Sequence, residues 1–535
     1  MTSHLSGQLL YFFVITVLVT LLLSLGVLWH YARRVLAGMQ QLGGAPLPLP
    51  GAPTAIAAAP AGDPSPWLAF DRRFERRLLF TWLAVALLAA LPVAAVWLVA
   101  SGEPLTLSKL ALLATVLAQL ALPVLALSRG WQWRRTLGAL LLLMAASAML
   151  TLLLSLADRL LRGALPSADQ WLNLVTWFQL AAVLLAPMAL LLLLSTPRRI
   201  RHVVPMLFGA LVLFALAPFL GALAFDQLLQ QEAAVGLLAA GGGVQLRHAV
   251  FALLALPAAW LVARRLRGLA LAYQAKAFSD RQLLARAWWL MLVGAQVMLL
   301  VSSPATPWWG APACALAGLG FVPLQRWVFS RWPPAAGAPP PRTLLFLRAF
   351  GWQARTERLF DRLGARWRAL GPITLIAAPD VVARSIDPGD LLAWLQGREA
   401  DAFVRDAAGL AQRLAAIDNQ RDPDGLHRLN EFCCTDATWQ ATVVALMARA
   451  DVVLMDLRGV QAQRASGCAW ELAALAQRLP ARRLVLVVDG NTALAPLQAA
   501  LGSAAAQVVW QRLDSERPAD HAALFHALVA AAAPG

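Results

Sequence analysis

The sequence predicts an α-helical polytopic membrane bundle of about nine spans, followed by a C-terminal α/β domain with a doubly wound parallel sheet. Three observations carry this expectation. Apolar residues make up 59% of the chain and charged residues 14%, against roughly 45–50% and 25% in soluble domains. Nine apolar runs fall before residue 326. From Arg342 onward, strand-like runs alternate with amphipathic helical stretches. The mean hydropathy of +0.63 excludes a disordered chain and a purely soluble enzyme.

A hydrocarbon core about 30 Å thick takes about 20 apolar residues in a helix. Candidate spans lie at 8–29, 78–100, 109–128, 136–156, 173–195, 204–225, 248–263, 287–302 and 308–325, the last three being short. The first run is too long for a signal-peptide core, lacks a basic leader and is followed by Arg33 and Arg34 as a stop-transfer. With the N-terminus outside, nine spans place 21 Lys and Arg up to residue 342 on the cytoplasmic side. Four remain outside: Lys109, Arg159, Arg162 and Arg247. That asymmetry follows the positive-inside rule. It predicts a multi-pass protein of the bacterial inner membrane, with a periplasmic N-terminus and a cytoplasmic C-terminal domain.

The net charge of +16 does not imply nucleic acid. Residues 1–342 hold 25 of the 45 basic and 9 of the 29 acidic residues, so the whole excess lies in the apolar half. Lys109 and Lys276 are the only lysines, an arginine bias that reads as a GC-rich bacterial genome. Two Pro-rich stretches punctuate the chain, roughly 43–66 and Pro333 to Pro341. The expected organisation is a first transmembrane helix (1–30), an Ala/Pro-rich cytoplasmic linker (31–77), a multi-span domain (78–326), a Pro-rich linker (327–342) and the α/β domain (343–535).

In that last domain, 343–350, 373–377, 451–456, 483–488 and 507–510 read as strands. Residues 354–370, 388–418, 436–450 and 467–479 read as helices. Ligands of open parallel sheets bind beyond the carboxyl ends of the strands. The residues to weigh are therefore Arg348 and Phe350 after the first strand, Asp456 and Arg458 after the third, Asp489 after the fourth, and the helix opening Ser466-Gly-Cys-Ala-Trp-Glu471. Glu471 is expected in the first turn of that helix, where the helix dipole favours a carboxylate. That is also its ordinary structural role.

Ala450-Asp-Val-Val-Leu-Met-Asp-Leu-Arg-Gly459 followed by Ser466-Gly-Cys-Ala-Trp-Glu-Leu-Ala-Ala-Leu-Ala476 resembles the nucleoside 2-deoxyribosyltransferase family. That pattern is a strand ending in an acidic residue, a loop, then Gly-Thr-Ala-x-Glu opening a helix. Gly467, Ala469 and Glu471 match it, and Cys468 replaces the Thr. Leu345 to Phe350 is a looser match to the family's first strand, without its Gly-Pro turn. The segment is also similar to Toll/interleukin-receptor (TIR) domains, which share the flavodoxin-like architecture. Their Trp stands four residues before the Glu, whereas Trp470 and Glu471 are adjacent. A group of bacterial membrane proteins with a Leu-Arg-Ser-Phe-like strand and a Trp-Glu-Leu helix is similar too.

The resemblance implies N-glycosidic chemistry on a nucleotide or NAD, through an oxocarbenium-like transition state. Glu471 would attack or stabilise the anomeric carbon, Asp456 would orient a ribose hydroxyl and Trp470 would stack on a base. Arg348, Phe350, Ser466 and Gly467 complete the expected ligand contacts. The ordinary readings are a turn residue for Asp456, packing for Trp470 and a surface position for Arg348.

No cofactor is expected. A zinc site from Cys433, Cys434, Cys468 and His427 is disfavoured, because adjacent cysteines rarely serve one ion. Expected partners are the lipid bilayer, a nucleotide or NAD ligand and a second copy of the chain. The alternatives are a non-catalytic signalling scaffold and a transporter with a regulatory domain. The second is weakened by apolar cores without Asp, Glu, Lys or Arg.

Overall fold

The computed structural model describes residues 2–41, 46–49, 62–118, 271–301, 306–348, 354–377, 388–398, 403–462 and 466–534, with scattered single positions between 137 and 269. The chain divides into two compact units. One comprises Met1–Leu28, Leu79–Trp332 and Ile386–Gln396; the other comprises Trp29–Leu78, Pro333–Ser385 and Gly397–Gly535.

The helices of the first unit begin with α1 (Thr2–Gln41) and α2 (Ser65–Ala100), both of which continue into the second unit. They go on with α3 (Leu107–Ala118), α4 (Asp280–Val301), α5 (Gly310–Leu319) and α6 (Phe321–Arg331). Helices α4 and α5 approach closely at Gly318, where a Cβ would lie 2.5 Å from the Val293 side chain. The Trp289 indole donates to the Gly318 carbonyl at 2.7 Å and stacks on Phe321. Small residues permit such approach between apolar helices.

Among the described residues, one helix, α2, is long and apolar enough to cross a membrane; the expectation of nine spans is not supported. The expected run at 308–325 is two short helices, α5 and α6. Pro323 has no N–H to offer the Leu319 carbonyl, and the break falls there. Residues 287–301 of the run at 287–302 lie within α4, whose first turns carry Asp280, Arg281 and Arg286. Most of 136–156, 173–195, 204–225 and 248–263 lies outside the described residues.

The second unit holds a seven-stranded, all-parallel sheet: β1 (Leu344–Arg348), β2 (Ile373–Ala377), β3 (Phe403–Val404), β4 (Leu429–Cys434), β5 (Val452–Asp456), β6 (Leu484–Val488) and β7 (Val509–Arg512). Its order is β3-β4-β2-β1-β5-β6-β7. The five expected strands are all present and run β2-β1-β5-β6-β7, the doubly wound order found in flavodoxin-like sheets. Apolar runs such as Leu484-Val-Leu-Val-Val are buried throughout, because helices cover both faces. Leu345, Leu347, Val453, Met455, Leu484 and Leu486 share a core with α10 (Trp439–Met447), α11 (Ser466–Arg478) and α12 (Leu494–Leu501). The opposite face meets α7 (Ala354–Leu370) and α13 (Pro518–Ala532), through contacts such as Phe346 on Phe360. Along α7, Leu359, Phe360, Leu363, Trp367 and Leu370 form the buried stripe.

Two expectations are corrected here. The stretch 388–418 is not one helix but α8 (Pro388–Leu395), strand β3 and α9 (Ala407–Ala415). Gly397 in the left-handed region (φ 70) follows α8, and the Asp406 carboxylate caps α9 at the Gly409 amide. In addition, residues 65–77 are not linker. They form the first turns of α2, and Trp67, Phe70, Asp71 and Phe74 are buried. Asp71 Oδ2 accepts from Arg366 of α7 at 2.5 Å, and the Trp67 indole donates to the Pro340 carbonyl at 3.1 Å. Gly425, at φ 85, lies against Phe74 and Ala335, where a Cβ would meet both at 2.9 Å.

Replacing Phe70, 1% exposed, by Ala should therefore cost about 3–5 kcal/mol, read as a lowered urea midpoint and faster proteolysis within 333–345. A loss below about 0.5 kcal/mol, the ordinary surface range, would show that the segment behaves as linker.

Candidate functional site at the sheet switch point

The chain leaves β1 toward β2 on one side and returns to β5 on the other, so a switch in strand order falls between β1 and β5. There Arg348 and Asp456 close their strands as register partners. Helix α11 follows the β5 loop and carries Glu471.

Asp456 is 3% exposed. Its Oδ1 accepts from Arg458 Nε at 2.8 Å and from the Arg458 amide at 3.3 Å. Its Oδ2 accepts from Arg458 Nη2 at 2.8 Å and from Thr356 Oγ1 at 2.9 Å. A carboxylate has about four lone-pair sites, and all are taken. The ribose-orienting role expected for Asp456 therefore requires Arg458 or Thr356 to let go.

Asp489, after β6, is bound in the same way. It accepts from the Gly459 amide at 3.0 Å, Thr492 Oγ1 at 2.8 Å, the Asn491 amide at 3.2 Å and Arg355 Nη2 at 2.8 Å. Burial works to raise its carboxyl, but the bonds from Thr492, Arg355 and Gly459 outweigh it and hold the group below the usual carboxylate value. Gly459 sits at φ 74, a conformation glycine adopts without steric cost, and its amide is thereby aimed at Asp489.

Glu471 differs from both. It is the sixth residue of α11, in the second turn rather than the first. The dipole effect fades within the first turn, so the ordinary structural account of this carboxylate weakens. Burial pushes its carboxyl up to about 8, with the Arg348 charge acting in the opposite direction. The half-buried Arg348 thus lies near enough for its charge to act on Glu471.

Among the other expected contacts, Ser466 is exposed and Gly467 half-buried at the start of α11. The Trp470 ring packs edge-to-face on Trp439, centroids 5.0 Å apart, against the core shared with α10. Phe350 lies outside the described residues. The structure therefore groups Arg348, Asp456 and Glu471 and turns Trp470 toward α10. Cys433, Cys434 and Cys468 are buried free thiols, and burial pushes Cys434 up to about 11.

Sequence reasoning missed a second layer of this edge. Glu516 accepts from Arg362 at 3.0 Å and lies 3.7 Å from both Arg358 and Arg458. The buried His521 has Nε2 2.6 Å from Arg362 Nη1 and 3.3 Å from Glu516. Because guanidinium only donates, Nε2 accepts and the ring is neutral. Burial, then the Arg362 charge, lowers the His521 pKa, with Glu516 opposing. The local signal is faint: Arg355, Arg358 and Arg362 share a helix face with Thr356 beside it, and no sequence pattern links them to residues 456, 489 and 516.

Two outcomes follow. Arg458→Met leaves Asp456 buried without its cation, which should cost about 3–5 kcal/mol in chemical denaturation; the double variant with Asp456→Asn should recover most of it, and a neutral single variant would refute the pairing. For His521, a folded pKa below the unfolded value means that the unfolded state binds the extra proton. Stability is therefore full above about pH 6.5 and falls as pH drops through the interval beneath it. His521→Gln should flatten that slope, and an unchanged slope would contradict the neutral ring.

No family model, no curated protein and no solved structure matches the chain.

Proposed function

We propose that this is a polytopic, membrane-anchored sensor whose cytoplasmic α/β unit binds a nucleotide at the carboxyl edge of its sheet. The observation that carries the proposal is Arg348 at the switch point of a flavodoxin-order sheet, where its charge acts on a partly buried Glu471. A guanidinium there suits a phosphate or ribose oxygen, and a protonated carboxyl can both donate and accept a hydrogen bond.

Support for the membrane setting comes from the 21-to-4 division of Lys and Arg and from apolar side chains left in the open on α1 and α2. Leu22 is 69% exposed, Trp29 60% and Phe80 68%. The bundle anchors the domain to the inner leaflet, with the N-terminus in the periplasm.

A second reading, N-glycosidic cleavage, is favoured by the raised Glu471 carboxyl. A group that keeps its proton at neutral pH serves as a general acid rather than a nucleophile. It would give that proton to the leaving base as the C1′–N bond breaks, while water supplies hydroxide to C1′ and returns a proton to solvent. This favours nucleotides whose base departs as a poor anion over those with a cationic base such as nicotinamide.

Calorimetric titration of the full chain with a nucleotide panel tests both readings. Binding should weaken at least tenfold in Arg348→Ala, the scale of a lost charge-assisted bond. If a base is released, Glu471→Gln should slow release by about 10²–10⁴-fold, and the wild-type rate should fall above about pH 8 as the proton leaves. Heat-silent titrations throughout the panel would end the nucleotide proposal; binding without release would leave the sensor and remove the enzyme.

A further inference from the structure

We propose that the first turns of α2 form a binding surface for anionic lipid headgroups; this rests on the membrane setting above. The helix has two opposite faces over residues 67–78. Trp67, Phe70, Asp71, Phe74 and Leu78 are buried and fasten it to the α/β unit. Arg72, Arg73, Arg76 and Arg77 are exposed. At 100° per residue these four cover one contiguous arc of the helix, turned away from the buried side.

Arg72, Arg73 and Arg76 are not spent on carboxylates. Arg73 and Arg76 donate to carbonyls of their own helix at 3.2 and 3.4 Å, and Arg77 donates to the Ala336 carbonyl at 2.6 Å. Among the described residues, no ion pair involves Arg72, Arg73 or Arg76. A guanidinium has five N–H donors, so several remain on Arg72, Arg73 and Arg76 for an outside acceptor. Immediately afterwards, residues 78–102 carry no charge at all. The cluster thus stands at the polar end of the one described helix fit to cross a bilayer.

Helix α1 repeats the design. Its exposed Leu22, Leu23 and Leu25 lead to the exposed Trp29, on whose ring Arg33 stacks at 4.7 Å. An indole with a guanidinium beside it is the arrangement that settles at headgroup depth. Fixing the α2 backbone by its buried face means that these arginines bind lipid phosphates without first ordering a loop, which removes a cost that a flexible basic tail would meet. Lipid phosphates, rather than free phosphate, are the ligand, because the apolar continuation of the helix holds the guanidiniums at the bilayer surface.

The test uses the full-length chain in phosphatidylcholine nanodiscs with and without phosphatidylglycerol, followed by native mass spectrometry of the lipids retained. The wild type should retain phosphatidylglycerol in preference to phosphatidylcholine. The triple variant Arg72→Gln, Arg73→Gln, Arg76→Gln should reduce that preference roughly a hundredfold, the product of three surface charges. The Arg→Lys triple should keep it, as should Arg449→Gln on the α/β unit. Inorganic phosphate at the same concentration should not displace the lipid; displacement would identify a free-phosphate site and overturn the proposal. A chain that enters nanodiscs but holds both lipids equally overturns it while leaving the membrane setting intact. A chain that does not enter nanodiscs overturns both.

Discussion

A carboxylate buried at the end of a central parallel strand costs several kcal/mol unless a cation and hydrogen bonds replace its water, and Asp456 is such a group. Arg458 meets it bidentately two residues later and donates onward to the Arg355 carbonyl. Thr356 supplies another bond, and Arg355 crosses to Asp489 at the end of the next strand. The first turn of α7 is thereby tied to β5 and β6 together. The same helix, about 25 Å long by its 17 residues, carries Arg366 and Trp367 near its other end. There they bond to Asp71 of α2 and to the Arg342 carbonyl ahead of β1. One rod thus joins the carboxyl edge of the sheet to the α2 segment docked in the same unit.

The two acidic side chains singled out at this edge have opposite environments. Asp456 is neutralised by a partner and committed. Glu471 has burial working against its charge and the Arg348 charge acting in its favour. A buried carboxyl raised as Glu471 is raised is common where chemistry happens, and also within structural ion networks. The arrangement divides the two: all four acceptor positions of Asp456 are filled, while burial opposes the charge of Glu471.

Much of the α/β unit was legible because β1, β2, β5 and β6 are mostly apolar runs, Val508-Val-Trp510 marks β7, and α7 has a clear amphipathic stripe. Helix α7 and β2 match their expected limits, 354–370 and 373–377. Strand β4 hid because Leu-Asn-Glu-Phe-Cys-Cys breaks the apolar run. Its Asn430 side chain is satisfied by Asp418, accepting from the amide and donating to the carbonyl, a bond no local pattern announces. Strand β3 has two residues and therefore no periodicity to read. Glu471 was found through its motif, but its turn of the helix depended on where α11 begins. The docking of 65–77 was concealed by the Pro-rich stretch before it and by Arg72, Arg73, Arg76 and Arg77, whose charge masks the buried Phe70 and Phe74 on the other side of the helix.

The cysteines have a practical consequence. All four thiols are buried and free, and Cys434 keeps its proton far above neutrality. Thiolate is the form that alkylating reagents capture, so the native chain behaves almost as a cysteine-less background. A single Cys introduced at the exposed Ser466 would carry a maleimide dye or spin label with little competition. The mouth of the switch point then becomes open to spectroscopy without first stripping the protein of its own sulfur.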